Sequence, residues 1–334
     1  MFAHMPIIRD IIYGAAARGA SIKELCSKAS IDSIDLNDSE KKLDFVIAFQ
    51  VWELAVKLTN DKLLGLHLGE SANPTILGLV GHLMQSSPTL KNAFENVSTF
   101  GQIATDMFTY SIRKEEDEYI LSYNPAVLWV KQSPDSARQA TEQAMAGTLH
   151  VFYLLSGEKI VPKRTAFQHR KPVITSEYER VFNSLLKFNW PSNELVFAAA
   201  QLEKRVLSHD QSLFKIFNAI LQNKKTDQTR RLTLKDQLQR VILSHFAGQP
   251  PPIEVLASHL NLGVRSLQRK LRFEKVSYRQ LSSHLKMELA RQLLNNADLK
   301  VGYISTILGY SEPSAFRRAY KSWTNASPRK ARKS

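Results

Sequence analysis

One apolar pattern occurs twice in this chain, 48 residues apart, and each copy is followed by a short turn and a second, basic helix. In IEVLASHL, Ile253, Leu256, Ala257 and Leu260 fall three, four and seven positions on, which predicts a single buried stripe on a helix. In VGYISTIL, Val301, Ile304, Ser305 and Leu308 take the same offsets. Asn261-Leu262-Gly263 follows the first copy and Gly309-Tyr310-Ser311 the second. Asn and Gly tolerate the left-handed backbone that a tight interhelix turn needs. The helix expected at 264–273 then turns Val264, Leu267 and Leu271 inward and Arg265, Gln268, Arg269 and Arg272 outward. The one expected at 313–323 buries Phe316, Ala319, Tyr320 and Trp323 and exposes Ser314, Arg317, Arg318 and Lys321. The register slips by one residue after the second turn, since Leu267 corresponds to Phe316. Two helix-turn-helix motifs, 253–273 and 301–323, therefore confine the end of the chain to an all-α domain.

The segment between the motifs fits the same plan. Leu281, Leu285, Leu289, Leu293 and Leu294 lie on one side of a helix expected from Tyr278 to Asn296. Such a rod spans about 28 Å, close to the ~34 Å advance of one turn of B-DNA. It can place two second helices in successive major-groove segments of double-stranded DNA. Charge points to the same partner. Residues 236–334 hold 17 Lys and Arg against 6 Asp and Glu, whereas residues 1–235 hold 28 against 25. A near-neutral part followed by a strongly basic one suits a polyanion.

The rest of the chain, of 334 residues in all, reads as a mixed α+β domain. Helices are expected at Pro6 to Ala17, at Leu43 to Leu58 with the row Phe45, Phe49, Trp52 and Val56, and over 134–156. SSPTLKNAFENVSTF reads as a helix capped by Ser87 with Pro88 at its first position. YSIRKEEDEYILSY predicts a hairpin turning near Glu116 and Asp117. RTAFQH and ELVFAA read as strands, with a helix near Ser176 to Leu186 between them. A helix near Asp210 to Leu221 precedes a polar linker, 223–232. The expected domains are thus 1–222, regulatory, and 233–334, DNA-binding. The one cysteine, Cys26, excludes an intrachain disulfide and suits a reducing cytoplasm. The first residues lack the uninterrupted apolar core of a signal peptide, and no apolar run reaches the ~18 residues of a membrane span.

ASHLNLGVRSLQRKLRFE, YRQLSSHLKMELARQLL and ISTILGYSEPSAFRRAYKSWTNASPRKAR together resemble the paired helix-turn-helix domain of AraC/XylS-type bacterial transcription regulators. Gly263 stands where that family often has a Ser cap, Asn325 where Gly is usual, Lys286 where Arg is common, and Ala331 in a usually aromatic place. LGLHLGE, ILGLVGHLMQSSPTLKNAFENVSTF and FQHRKP, with the spacing through Tyr178, Phe182, Asn193 and Phe197, resemble the "arabinose-binding" regulatory domain of the ornithine-utilisation regulator subgroup. The resemblance implies an effector-responsive activator that meets RNA polymerase at a promoter, and a regulatory domain that senses a small molecule or forms a homodimer. It places Arg265, Gln268, Arg269, Ser314 and Arg317 at base edges, although a phosphate contact is open for each. It gives Arg272, Arg318, Lys321, Arg329 and Lys330 to phosphates, with a solvated tail as the alternative for the last two.

Met84, Phe108, Tyr123, Trp129 and Phe152 are candidates to line an apolar effector pocket, with core packing as the alternative for each. His67, His82, His150 and His169 match no metal-ligand spacing, so no metal and no cofactor are expected. Gly78 and Gly81 lack the Lys-Ser/Thr of a phosphate loop and point instead to close packing. Without a catalytic motif the chain is not expected to be an enzyme. Two other readings stand beside the regulator: a ligand-independent architectural DNA binder and an enzyme domain tethered to DNA.

Overall fold

The structure is a computed structural model that describes residues 1–231, 233–246, 249–295 and 299–331, and all their side chains but those of 227–231, 240, 243–245, 292 and 295. Leu232 at the end of the expected linker, Asn296 at the end of the expected rod and residues 332–334 lie outside the described residues. The chain divides into two units, Met1–Asp227 and Gln228–Ser334.

The first unit opens with β1 (Phe2–His4) and α1 (Met5–Ala16), which buries Ile8, Ile11, Ile12 and Ala15 on one face. After α2 (Ile22–Lys28), β2 (Lys42–Asp44) pairs antiparallel with β1. That pairing delays α3 (Phe45–Thr59), whose start is fixed by the Asp44 carboxylate accepting the Val46 N–H at 3.0 Å. α4 (Leu64–Gly69) and α5 (Leu79–Ser86) follow, then α6 (Leu90–Ala104). The cap of α6 is Thr89, not Ser87: Thr89 Oγ1 accepts the Asn92 N–H, while the Ser87 hydroxyl donates back to Leu83 and ends α5. The hairpin is β3 (Phe108–Glu115) and β4 (Glu118–Pro125), turning through Glu116 at φ 49°. Next come α7 (Val127–Gln132), the long α8 (Pro134–Ser156), β5 (Arg164–Ala166) and α9 (Ser176–Phe182).

α9 stops four residues short of the expected Leu186, because Asn183 turns left-handed at φ 45°. Leu185–Lys187 then forms β6, parallel to β5, and β7 (Glu194–Ala198) lies between β5 and β4. The sheet order is β3-β4-β7-β5-β6, with α6 packed on β3 and α8 on β4. α10 (Ala199–Leu202) leads to α11 (Gln211–Arg231), which carries helix through the stretch expected as a linker. Lys, Gln and Arg are good helix formers even without an apolar period. Buried Leu221 and the Lys224–Glu40 ion pair at 3.0 Å hold it to the first unit.

Glycine fixes two close approaches. A Cβ on Gly65 of α4 would lie 2.0 Å from the Gln139 carbonyl oxygen of α8, and one on Gly81 would lie 1.8 Å from that of Pro74. Gly78, by contrast, is used for its positive φ of 56°. α8 also buries Glu142 completely. Its carboxylate accepts from the Tyr178 hydroxyl and from Arg138 at 2.9 Å, and burial still pushes the carboxyl above its ordinary range.

The second unit begins with α12 (Leu234–His245), held by a Thr233–Asp236 capping box. α13 (Ile253–His259), α14 (Val264–Phe273), α15 (Tyr278–Asn295), α16 (Val301–Ile307), α17 (Pro313–Thr324) and α18 (Pro328–Ala331) complete it. All five leucines of the expected rod are buried along α15. This is an α+β domain followed by an all-α domain with two helix-turn-helix motifs joined by a helix.

Gly65→Ala should lower stability by about 3 kcal/mol, the upper range for overpacking against a backbone that cannot yield. Gly302→Ala meets nothing closer than Pro313 at 4.0 Å and should stabilise by about 0.4–1 kcal/mol through the unfolded chain. Urea unfolding midpoints of the full-length variants check both.

Candidate nucleic-acid interface

Each motif is closed by the same bonds. In the first turn Asn261 takes φ 53°, and the Leu262 N–H returns to the Ala257 carbonyl at 2.9 Å. In the second, Gly309 takes φ 75°, and the Tyr310 N–H returns to the Ser305 carbonyl at 3.0 Å. The left-handed position is thus Asn261 rather than Gly263, which is extended at φ −75° and caps α14 without a side chain. One residue separates Asn261 from its cap, Gly263, and two separate Gly309 from Glu312. The extra residue accounts for the register slip, and Leu267 and Leu271 then match Phe316 and Tyr320 as the buried anchors. Ala257 and Ser305 are the buried small residues from which the turns hang.

The outward residues of the second helices are mostly polar, the exposed Phe273 at the end of α14 being the large apolar exception. Arg265, Gln268, Arg269 and Arg272 are exposed on α14, and Ser314, Arg317, Arg318 and Lys321 on α17. The Ser314 hydroxyl lies 3.5 Å from the Glu312 carboxylate. Arg329 and Lys330 are exposed on α18, but not in a loose tail: Pro328 is buried and α18 packs on α15 and α17. Among the described residues, none of these cations forms an ion pair. The first unit differs, with Arg113 on Glu115 and Glu194, Arg180 on Glu70 and Glu177, Lys163 on Glu118 and Lys204 on Glu158. Lys270 and Arg279 are also exposed and unpaired among the described residues, although their positions off the reading stripe gave no signal in the sequence.

The rest of the unit fixes these helices in place. The Glu274 carboxylate at the end of α14 accepts the Leu234 and Lys235 N–H groups at 2.6 and 3.0 Å, tying α14 to the start of α12. Gln249 donates to the Ile307 carbonyl at 2.9 Å and so caps α16. Lys286 of α15 lies 4.8 Å from the centre of the Tyr310 ring, and burial pushes its ammonium below the ordinary lysine value. It braces the second turn.

In the first unit, Met84, Phe108 and Trp129 line a cavity of about 140 Å³. Tyr123 and Phe152 do not; both are fully buried in the hydrophobic core beside it, where Tyr123 donates to Thr148 at 2.8 Å.

Residues 19–206 match the family described as the arabinose-binding domain of AraC transcription regulator, N-term, and residues 256–334 match a helix-turn-helix domain. The chain belongs to the AraC-type transcription regulators. It is a DNA-binding transcription regulator. The ornithine utilization regulator of Pseudomonas aeruginosa is 26% identical over 329 residues, covering 98% of this chain and 94% of that one. The transcriptional regulator VqsM of the same organism is 24% identical over 283 residues, covering 81% and 83%. The crystal structure of its regulator CdpR aligns with a TM-score of 0.46 at 20% identity, over 93% of this chain and 96% of that one. No described helix of this AraC-type regulator is long and apolar enough to cross a membrane.

The Ser305 hydroxyl is buried without a partner. Ser305→Ala should therefore raise stability by about 1 kcal/mol, whereas Gly309→Ala should cost about 1–2 kcal/mol in its left-handed position. Thermal unfolding of the two variants should move in opposite directions.

Proposed function

We propose that this regulator reads two adjacent major-groove segments with α14 and α17 and activates a nearby promoter when a small molecule binds its N-terminal domain. One observation carries the reading: two homologous helices each present a row of exposed cations without carboxylate partners among the described residues. Unpaired like charges repel one another, and a polyphosphate relieves the repulsion while releasing its own counterions. Arg265, Gln268 and Arg269, with Ser314 and Arg317, reach base edges; Arg and Gln suit guanine and adenine by bidentate geometry. Arg272, Arg318, Lys321, Arg329 and Lys330 meet phosphates. Effector binding shifts the population toward an arrangement that engages both segments, and RNA polymerase meets the bound form. The protein acts in the cytoplasm. A second copy pairs with the first through the N-terminal domain; sedimentation of the full-length protein at twice the monomer mass would support that dimer, and sedimentation as a monomer would overturn it.

Selection of bound DNA from a random pool tests the reading. It should return a site with two conserved blocks about one helical turn apart; a single block, or none, overturns two-segment reading. Arg269→Ala should relax preference at one position of that site and cost about 1–3 kcal/mol. With five phosphate cations, the logarithm of the binding constant should fall with the logarithm of salt at a slope of roughly −4.5, and Lys321→Ala should flatten it by about 0.9. Titrations at several salt concentrations measure both.

A further inference from the structure

The cavity in the N-terminal domain is lined by no Asp, Glu, Lys, Arg or His. Its walls are mostly apolar, with Trp52, Phe108 and Trp129 among them, and α8 leaves room by presenting Ala140, Ala144 and Gly147. Asn73, Thr105, Tyr110, Gln143 and Thr148 supply its polar side chains. Thr105 donates to the Phe2 carbonyl at 2.9 Å, and the exposed Asn73 turns its carbonyl oxygen to the Thr75 N–H at 3.0 Å. Thr148 is already engaged, donating to the Ala144 carbonyl and accepting from Tyr123, each at 2.8 Å. Gln143 donates its amide to Asp10 at 2.8 Å, which leaves its carbonyl oxygen as an acceptor. The Tyr110 hydroxyl makes no hydrogen bond among the described residues, and burial raises its pKa, so it stays protonated as a donor. The space thus offers apolar walls, with Tyr110 as a buried donor and Gln143 as an acceptor.

Size and charge then restrict the guest. An apolar cavity of ~150 Å³ takes a benzene-sized molecule. A free amino acid would bring a carboxylate and at least one ammonium into a space with no countercharge, at several kcal/mol per ion. We propose that this cavity binds an uncharged, mainly apolar molecule about the size of one aromatic ring, with a single neutral polar group held between Tyr110 and Gln143, and that it rejects free amino acids. The proposal rests on the effector-responsive reading above and names its ligand class. It also separates this chain from what the printed name of its Pseudomonas relative says of that protein, ornithine.

The test uses the full-length protein with p-cresol, toluene and L-ornithine as probes. Trp52 and Trp129 report directly, because both line the space. p-Cresol and toluene should change tryptophan fluorescence saturably, with micromolar to millimolar dissociation constants, and ornithine should not. Tyr110→Phe should weaken p-cresol about fivefold to tenfold, the loss of one hydrogen bond, and leave toluene unchanged. Ala144→Leu should fill the space and abolish both signals; its thermal unfolding, at or above that of the parent, checks that it folds. Saturable ornithine binding, or no saturable binding of either neutral probe, overturns the proposal. Neutral-probe binding that leaves DNA affinity unchanged would sink the effector-responsive reading and leave the ligand class standing.

Discussion

Two residues, Asn261 and Gly309, hold the left-handed backbone on which the DNA-reading half of the molecule depends. A left-handed residue after a helix lets the next amide return to a carbonyl one turn back. Here that carbonyl belongs to Ala257 or Ser305, the small residue buried at the crossing. Size and handedness thus act together. A larger side chain at 257 or 305 would part the helices, and a residue unable to turn left-handed would misdirect the chain. The cap can move by one residue between the copies because neither constraint involves it. Leu267 and Phe316 then anchor their helices at the same depth despite the slip.

The two units treat charge in opposite ways. The first balances its cations with nearly as many carboxylates and pairs several of them locally, and most of those pairs are exposed enough to add little stability. They remove long-range field instead. The second keeps its cations unpaired on α14, α17 and α18, and its anions serve elsewhere: Asp236 and Glu274 satisfy the start of α12, and Glu288 accepts from Gln239. A net excess of basic residues destabilises a compact domain on its own. Its value appears on binding, when the displaced counterions of DNA supply a favourable entropy.

Much of this was legible because periodicity reports burial. The rows at 253–260, 281–294 and 301–308 are apolar at helical steps, and the helices at 264–273 and 313–323 set buried apolar residues against an outward basic stripe, so periodicity gave both the core and the face. The features that escaped it are set by single hydrogen bonds or by contacts distant in sequence. Ser87 and Thr89 are equally good caps in isolation; only the fold sends the Ser87 hydroxyl to Leu83. Leu185–Lys187 continues a helical pattern, yet Asn183 breaks it and β5 claims the segment as a strand. The polar run after Leu221 lacks any apolar period, but its helix is propagated from a docked first half and tethered by Lys224 to Glu40. Of the five aromatic and Met candidates in the first unit, no local signal separates Met84, Phe108 and Trp129, beside empty space, from Tyr123 and Phe152, inside the core.

The cavity beside α8 is itself informative. The helix lines it with the small residues Ala140, Ala144 and Gly147, which leave its 140 Å³ open. Close packing is plainly available to this helix. On the α4 side of α8, Gly65 and Gly69 bring two backbones into contact, and a Cβ on Gly69 would lie 2.6 Å from Ala146. One helix is therefore packed as tightly as chain geometry permits on one side and left hollow on another. A guest that fills the hollow contributes its binding free energy to the folded state alone. The domain is then most stable when occupied, and the guest biases a conformational equilibrium of that domain to the extent that it binds one arrangement better than the other.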